Sequence, residues 1–212
     1  MLHSNKFISL KENIYKLNPK VNLIVVSKNQ TMDKLIPIIN AKQIHFGENR
    51  VQEAIQKWKT TKDQSVDLKF HLIGKLQSNK AKEAFEFFDY IHSLDSEKLA
   101  QIFHKLESNS TKRMKYFIQV NIGNETQKSG VAIDNVDAFI KFCIFDLRLD
   151  VIGLMCIPPA ISNVDNYFKN LFQIASRNNL KELSMGMSND YQCAINNGAT
   201  FVRVGSKIFS SD

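Results

Sequence analysis

Cysteine, proline, glycine and tryptophan are all sparse: 3, 4, 8 and 1 of 212 residues. Cys143, Cys156 and Cys193 form no C-x-x-C pair and have no histidine at ligand spacing. That excludes a zinc ribbon or a disulfide framework, so no metal site is expected and the thiols read as small hydrophobes in a reducing compartment. No Pro/Gly/Ser-rich linker, low-complexity tract or sequence repeat breaks the chain, so residues 1–212 read as one domain. Long apolar runs are missing too. The longest, 23–26 and 151–157, fall well short of the roughly 18–20 residues a membrane span needs, and no membrane partner is expected. MLHSNKFISLKEN at the start has neither an apolar core nor a small-residue cleavage site, so the expected location is cytoplasmic. Arginine is rare: 5 against 23 lysines, in a chain of net charge +7. Nucleic-acid readers rely on arginine forks and interleaved aromatics, and no nucleic-acid partner is expected.

What is present is an ordinary globular balance, 43% hydrophobic and 23% charged, well outside the regime of disorder. Positive charge concentrates in the first half, which holds 17 basic and 11 acidic residues. Lys57, Lys59, Lys62, Lys69, Lys75, Lys80 and Lys82 account for most of the excess. They read first as a solvated helix-and-loop face, and second as a patch for an anion.

Eight short β-branched or aromatic runs recur along the chain: 21–27, 43–48, 69–74, 90–94, 115–121, 151–157, 182–187 and 200–206. Between them lie segments with helical spacing and end signals: Asp95-Ser96, Asp134 and Ser188 at starts, and Gly198 as a terminating glycine. Strands alternating with helices imply parallel pairing through right-handed crossovers. Eight units in about 200 residues predict an α/β fold, a single (β/α)8 TIM barrel, with an open doubly wound sheet as the alternative. Seven of the eight glycines fall near strand ends, where barrels build their sites. Pro37 fits poorly inside the segment after Thr31, and predicts a kinked or late-starting helix.

Lys28 follows the run LIVVS and is placed to point its amine into the barrel mouth. A lysine in partly apolar surroundings loses its proton more readily, and the neutral amine condenses with carbonyls; a lone lysine there is otherwise a solvated cation. The last two runs, ELSMGMSND and FVRVGSKIF, fall where barrels often bind phosphate. Gly205 and Ser206 offer backbone N–H groups and a hydroxyl, and Ser184 and Ser188 add donors. Arg203 shares the face of Gly205. Its guanidinium needs a ligand or a partner carboxylate such as Glu48. A carbonyl-reactive lysine, an anion cradle and an inward arginine together describe a pyridoxal 5′-phosphate (PLP) site.

The segments VVSK, HFGENRVQEA, FHLIGKLQSNK, IHSLDSEKLA, FIQVNIGNETQKSG, GLMCIPP, LSMGMSNDYQCAI and GATFVRVGSKIF, in order along nearly the whole chain, resemble the pyridoxal phosphate homeostasis (YggS/PROSC) family. The resemblance implies a barrel like the N-terminal domain of alanine racemase and a protein that holds PLP as a reversible Schiff base on Lys28. It implies that Arg203 faces the pyridine nitrogen and that Ser184, Gly205 and Ser206 hold the phosphate. Asn49, Met155 and Met185 would line the pocket, with His71 and the LQSNK segment at the same rim. Thr31, Lys75, Arg50 and the FSSD end depart from the family pattern, which bears on phosphate affinity and partner surface and not on the imine.

A cation at the pyridine nitrogen weakens the cofactor as an electron sink. Eight βα units leave no room for the second domain from which alanine racemases take their opposing base. The expectation is therefore a monomeric carrier with no catalytic residues, supplying PLP to PLP-dependent apoenzymes. The alternatives are a small fold-type III PLP enzyme such as an amino-acid racemase, a Schiff-base aldolase and a nucleic-acid module.

Overall fold

The computed structural model describes residues 2–64, 67–160 and 163–210. Eight parallel strands close on one another in the order β1 (Asn22–Val26), β2 (His45–Glu48), β3 (Lys69–Leu72), β4 (Tyr90–Leu94), β5 (Lys115–Asn121), β7 (Val151–Cys156), β8 (Glu182–Ser184) and β9 (Phe201–Val204), with β9 returning to β1. The barrel is thus closed, and the open-sheet alternative falls away. A two-residue strand, β6 (Val131–Ala132), adds to β5 outside the ring.

Helices surround the ring: α1 (Leu2–Leu17), α2 (Met32–Asn40), α3 (Val51–Gln64), α4 (Ala81–Phe87), α5 (Glu97–Ser108), α6 (Ile133–Lys141), α7 (Asp165–Arg177), α8 (Tyr191–Asn196) and α9 (Ser206–Phe209). The strand runs are legible because parallel strands are covered on both faces. In β1, Leu23 and Val25 pack outward into the layer shared with the helices. Ile24 points inward, where it meets Phe117, Met155 and Phe201. Helix α7 shows the complementary 3.6-residue pattern, burying Phe168, Leu171, Ile174 and Ala175.

Helix ends were only partly legible. Ser96 caps α5, its hydroxyl accepting from the Leu99 N–H at 3.4 Å. Gly198 ends the α8 turn at φ +90°, the left-handed position glycine fills without strain. Ser188 does not cap α8. Asp190 stands there, and its carboxylate accepts from the Met187 N–H at 2.5 Å. Asp134 lies inside the first turn of α6, after Ala132. Helix α2 begins at Met32 and does not start late; Pro37 is simply absorbed within it. All three cysteines are free: Cys143 and Cys156 are buried, with burial pushing each thiol up to about 12, while Cys193 is only half-buried.

Candidate functional site at the barrel mouth

Above the C-terminal ends of the strands lies a cavity of about 780 Å³. Its wall includes Lys28, Arg203, Gly205, Ser206, Ser188 and Asp190. Lys28 sits in the turn after β1, two residues past the strand, and is exposed to solvent while facing this space. Gly205 closes the wall where β9 meets β1. A Cβ there would stand 3.0 Å from the Val26 carbonyl oxygen and 3.1 Å from its Cβ, so a side chain at this position would crowd the backbone beside Lys28.

The root of Lys28 is fixed from the outside of the barrel. The Glu48 Oε1 atom accepts from the Ser27 hydroxyl (2.7 Å), the Trp58 indole N–H (2.8 Å) and the Lys57 ammonium (2.9 Å). Lys57 also donates to the Ser27 carbonyl at 2.6 Å. Glu48 therefore does not pair with Arg203; it faces the helix layer and holds the turn that carries Lys28. Three lysines of the basic cluster in the first half are likewise engaged, while Lys59, Lys75 and Lys82 stay exposed. Lys57 is spent on this pair, Lys80 on Glu83, and Lys62 on the Phe87 carbonyl.

Arg203 is buried at the cavity floor. Its Nη1 donates to the Ser184 hydroxyl (2.7 Å) and its Nη2 to the Cys156 carbonyl (2.9 Å). Both partners are uncharged. Burial lowers its proton affinity, while the Asp190 carboxylate across the cavity acts in the other direction through space. A buried cation held only by neutral oxygens leaves its charge available to whatever enters from above.

Beneath Arg203 the lumen is sealed. Ser184 is fully buried, as are His71 and His92. The imidazoles form a file from the serine toward the far end: His92 Nδ1 to Ser184 Oγ (2.8 Å), His71 Nδ1 to His92 Nε2 (2.9 Å), and His45 Nδ1 to His71 Nε2 (2.9 Å). Burial holds His71 and His92 well below the ordinary imidazole range, with Arg203 a further cause at His92. It takes His45 down to about 4, aided by Lys69 and opposed by Asp89.

Five sequence expectations change. Ser184 has its hydroxyl committed to Arg203 and His92 below the cavity floor, so it supports the arginine and does not line the anion cradle. His71 stands in the lumen file and not at the rim. Met185 packs into the outer layer between strands and helices, away from the pocket. Asn49 lines a separate, 340 Å³ recess with Lys75 and Gln119; the recess adjoins the main cavity through Lys128 and Ile157. Met155 lies fully buried in the lumen cluster. Sequence reasoning missed Asp190, Asn189, Lys128 and the Pro158-Pro159 wall, all of which face the main cavity. The paired prolines after β7 and the acidic residue after SMGMSN were visible signals.

The family model for the alanine racemase N-terminal domain matches residues 8–211. The pyridoxal phosphate homeostasis protein of Haemophilus influenzae is 33% identical over 201 residues, covering 90% of this chain and 85% of that protein. Its namesake in Aquifex aeolicus is 38% identical over 173 residues, covering 77% and 75%. PipY of Synechococcus elongatus, solved without PLP, superposes with a TM-score of 0.91 at 35% identity over 99% of this chain and all of that one. The same protein with PLP bound gives 0.87 over 98% and 100%.

Proposed function

Because the chain belongs to the alanine racemase N-terminal-domain family and, within it, to the pyridoxal phosphate homeostasis proteins, we propose that it binds PLP in the 780 Å³ cavity and serves in the storage and supply of that cofactor. The observation that carries this reading is one wall: the Lys28 amine, the Gly205-Ser206 cradle and the Arg203 guanidinium border a single space. Its volume lies within the roughly 300–1,000 Å³ usual for small-ligand sites. The residues fit the group in chemistry as well as in size. An amine answers an aldehyde, backbone N–H groups and a hydroxyl answer a phosphate, and a buried cation without an anionic hydrogen-bond partner answers a ring-nitrogen lone pair.

When bound, the cofactor supplies an electrophilic aldehyde. Lys28 is the residue that would hold that aldehyde, its amine taking the carbonyl carbon as a reversible imine with loss of water. Solvent exposure of Lys28 suits this role, because a second amine can reach the same carbon and carry the cofactor away. Gly205 and Ser206 would hold the phosphate, and Ile157, Pro158 and Pro159 supply the apolar wall. Arg203, a permanent donor, disfavours protonation of the ring nitrogen and so weakens electron withdrawal from bound amines. We therefore read the protein as a non-catalytic carrier, monomeric and cytoplasmic, whose recipients are PLP-dependent apoenzymes. Among the described residues no helix is long and apolar enough to cross a membrane.

The test is the visible spectrum of protein loaded with PLP, before and after a small primary amine is added. A Schiff-base band that transfers to the amine without net turnover supports a carrier. Racemisation of an added L-amino acid at a useful rate would overturn the non-catalytic reading.

A further inference from the structure

Three of the five histidines lie nose to tail inside the barrel, and the binding reading alone leaves them without a task. They come from three neighbouring strands, and each stands two residues beyond the register partner of the one before. His45 pairs with Lys69, and His71 follows Lys69 by two; His71 pairs with Tyr90, and His92 follows Tyr90 by two. That offset brings the inward-facing rings of successive strands within reach of one another across the tilted sheet.

A neutral imidazole has one donor and one acceptor nitrogen, so a file of three can run in either of two directions. Arg203 decides between them. Its Nη1 donates to Ser184 and can never accept, so the serine oxygen receives that hydrogen and still has one proton of its own to place. Among the described residues the Ser184 hydroxyl touches only Arg203 and His92. If His92 donated to the serine, the hydroxyl proton would be buried without an acceptor, at a cost of about 1–3 kcal/mol. Run the other way, every link is satisfied. Arg203 donates to Ser184, Ser184 to His92 Nδ1, His92 Nε2 to His71 Nδ1, and His71 Nε2 to His45 Nδ1.

We propose that His92, His71 and His45 are positioning residues for Arg203: through Ser184 they form a one-way file of hydrogen bonds that fixes an acceptor under the guanidinium and so holds its charge at the cavity floor. The inference rests on the reading of that cavity as the cofactor site and adds the device that aims its cation. The rings facing the file are Tyr90, Phe117 and Phe201, with His71 stacked on Tyr90 at 4.2 Å and His92 on Phe117 at 4.2 Å. The charged groups bearing on it are Arg203 at the upper end and Lys69 and Asp89 at the lower. Neutral throughout, the file gives Ser184 an acceptor without placing a second positive charge beneath Arg203.

Two measurements test it. Nitrogen-15 spectra of histidine-labelled, cofactor-free protein at pH 7 read the tautomers directly. Nε2–H on His45, His71 and His92 is expected, and Nδ1–H or a doubly protonated ring on His71 or His92 would overturn the file. Titration with PLP, followed by absorption, reads the consequence. Ser184→Ala removes the acceptor under Arg203 and should weaken binding about tenfold or more. His92→Leu should weaken it several-fold and move the absorption maximum, while His92→Asn, whose amide oxygen can replace Nδ1, restores most of the loss. Unchanged affinity and spectrum in both Ser184→Ala and His92→Leu would overturn the positioning role. Should the parent protein form no Schiff base at all, the carrier reading fails, and the tautomer spectra still decide the file.

Discussion

The two ends of the site are made from the same strands and differ in nearly every property. At the mouth, Lys28, Gly205 and Ser206 are solvent-reached and stand where the chain leaves regular structure. One layer below, Ile24, Phe117, Met155 and Phe201 close the lumen, and its polar atoms are taken up by one another. Arg203 belongs to both, facing the cavity while anchored in the lumen. The difference teaches a division of labour: the mouth can change without unfolding the barrel, and the lumen cannot change without moving what the mouth presents.

The sharpest way to break that division is Lys28→Ala. It should abolish the Schiff-base band outright while the denaturation midpoint stays within about 0.5 kcal/mol of the parent, because an exposed side chain leaves no cavity. Parallel absorption spectra and urea melts check both halves. In the lumen the expectation reverses. Phe117→Ala should cost about 3–5 kcal/mol in the same melt, with the surviving folded fraction still forming the Schiff base on Lys28.

Acid should reach the lumen from below. His45 falls from an ordinary value near 6.5 to about 4 in the folded chain, so the unfolded state binds its proton first as pH drops. Its contribution is complete above pH 6.5 and is lost progressively between pH 6.5 and about 4, amounting to roughly 3 kcal/mol at 1.36 kcal/mol per unit. Melts across that window should show a slope that His45→Gln lessens, with the buried His71 and His92 supplying the remainder. The smallest effect belongs to the outer surface. Arg50 forms an exposed 2.7 Å pair with Glu53, and Arg50→Ala should shift stability by less than about 0.5 kcal/mol, with no change in the spectrum.

The barrel was legible in the sequence because buried parallel strands write themselves as β-branched runs, LIVV in β1 being the plainest. Strand β8 came out shorter than its run, since the chain leaves the sheet after Ser184 and turns through Gly186 at φ +91°. Helix α1 gave a weaker signal: Phe7, Leu10 and Ile14 carry its buried face, but its first turn has no acidic residue. Strand-end position and the pattern of the last two runs placed Lys28, Arg203, Gly205 and Ser206 at one mouth, and all four line the same cavity. Ser184, His71 and Met185 were misplaced for one reason: a residue near a strand end can face the mouth, the lumen or the helix layer, and only the register and the exit of the strand decide which. The file of histidines was invisible because its members are 26 and 21 residues apart and meet only through the stagger of three strands. Glu48 shows the same limit from the other side, being matched to Lys57 on the outer face where a charge count alone had offered Arg203.

Borohydride reduction of the PLP-loaded protein, followed by peptide mapping, tests the central claim most directly, because it converts a reversible bond into a permanent mark on one lysine. The account predicts the mark on Lys28. A mark confined to Lys34, Lys75, Lys128 or Lys207 would contradict it.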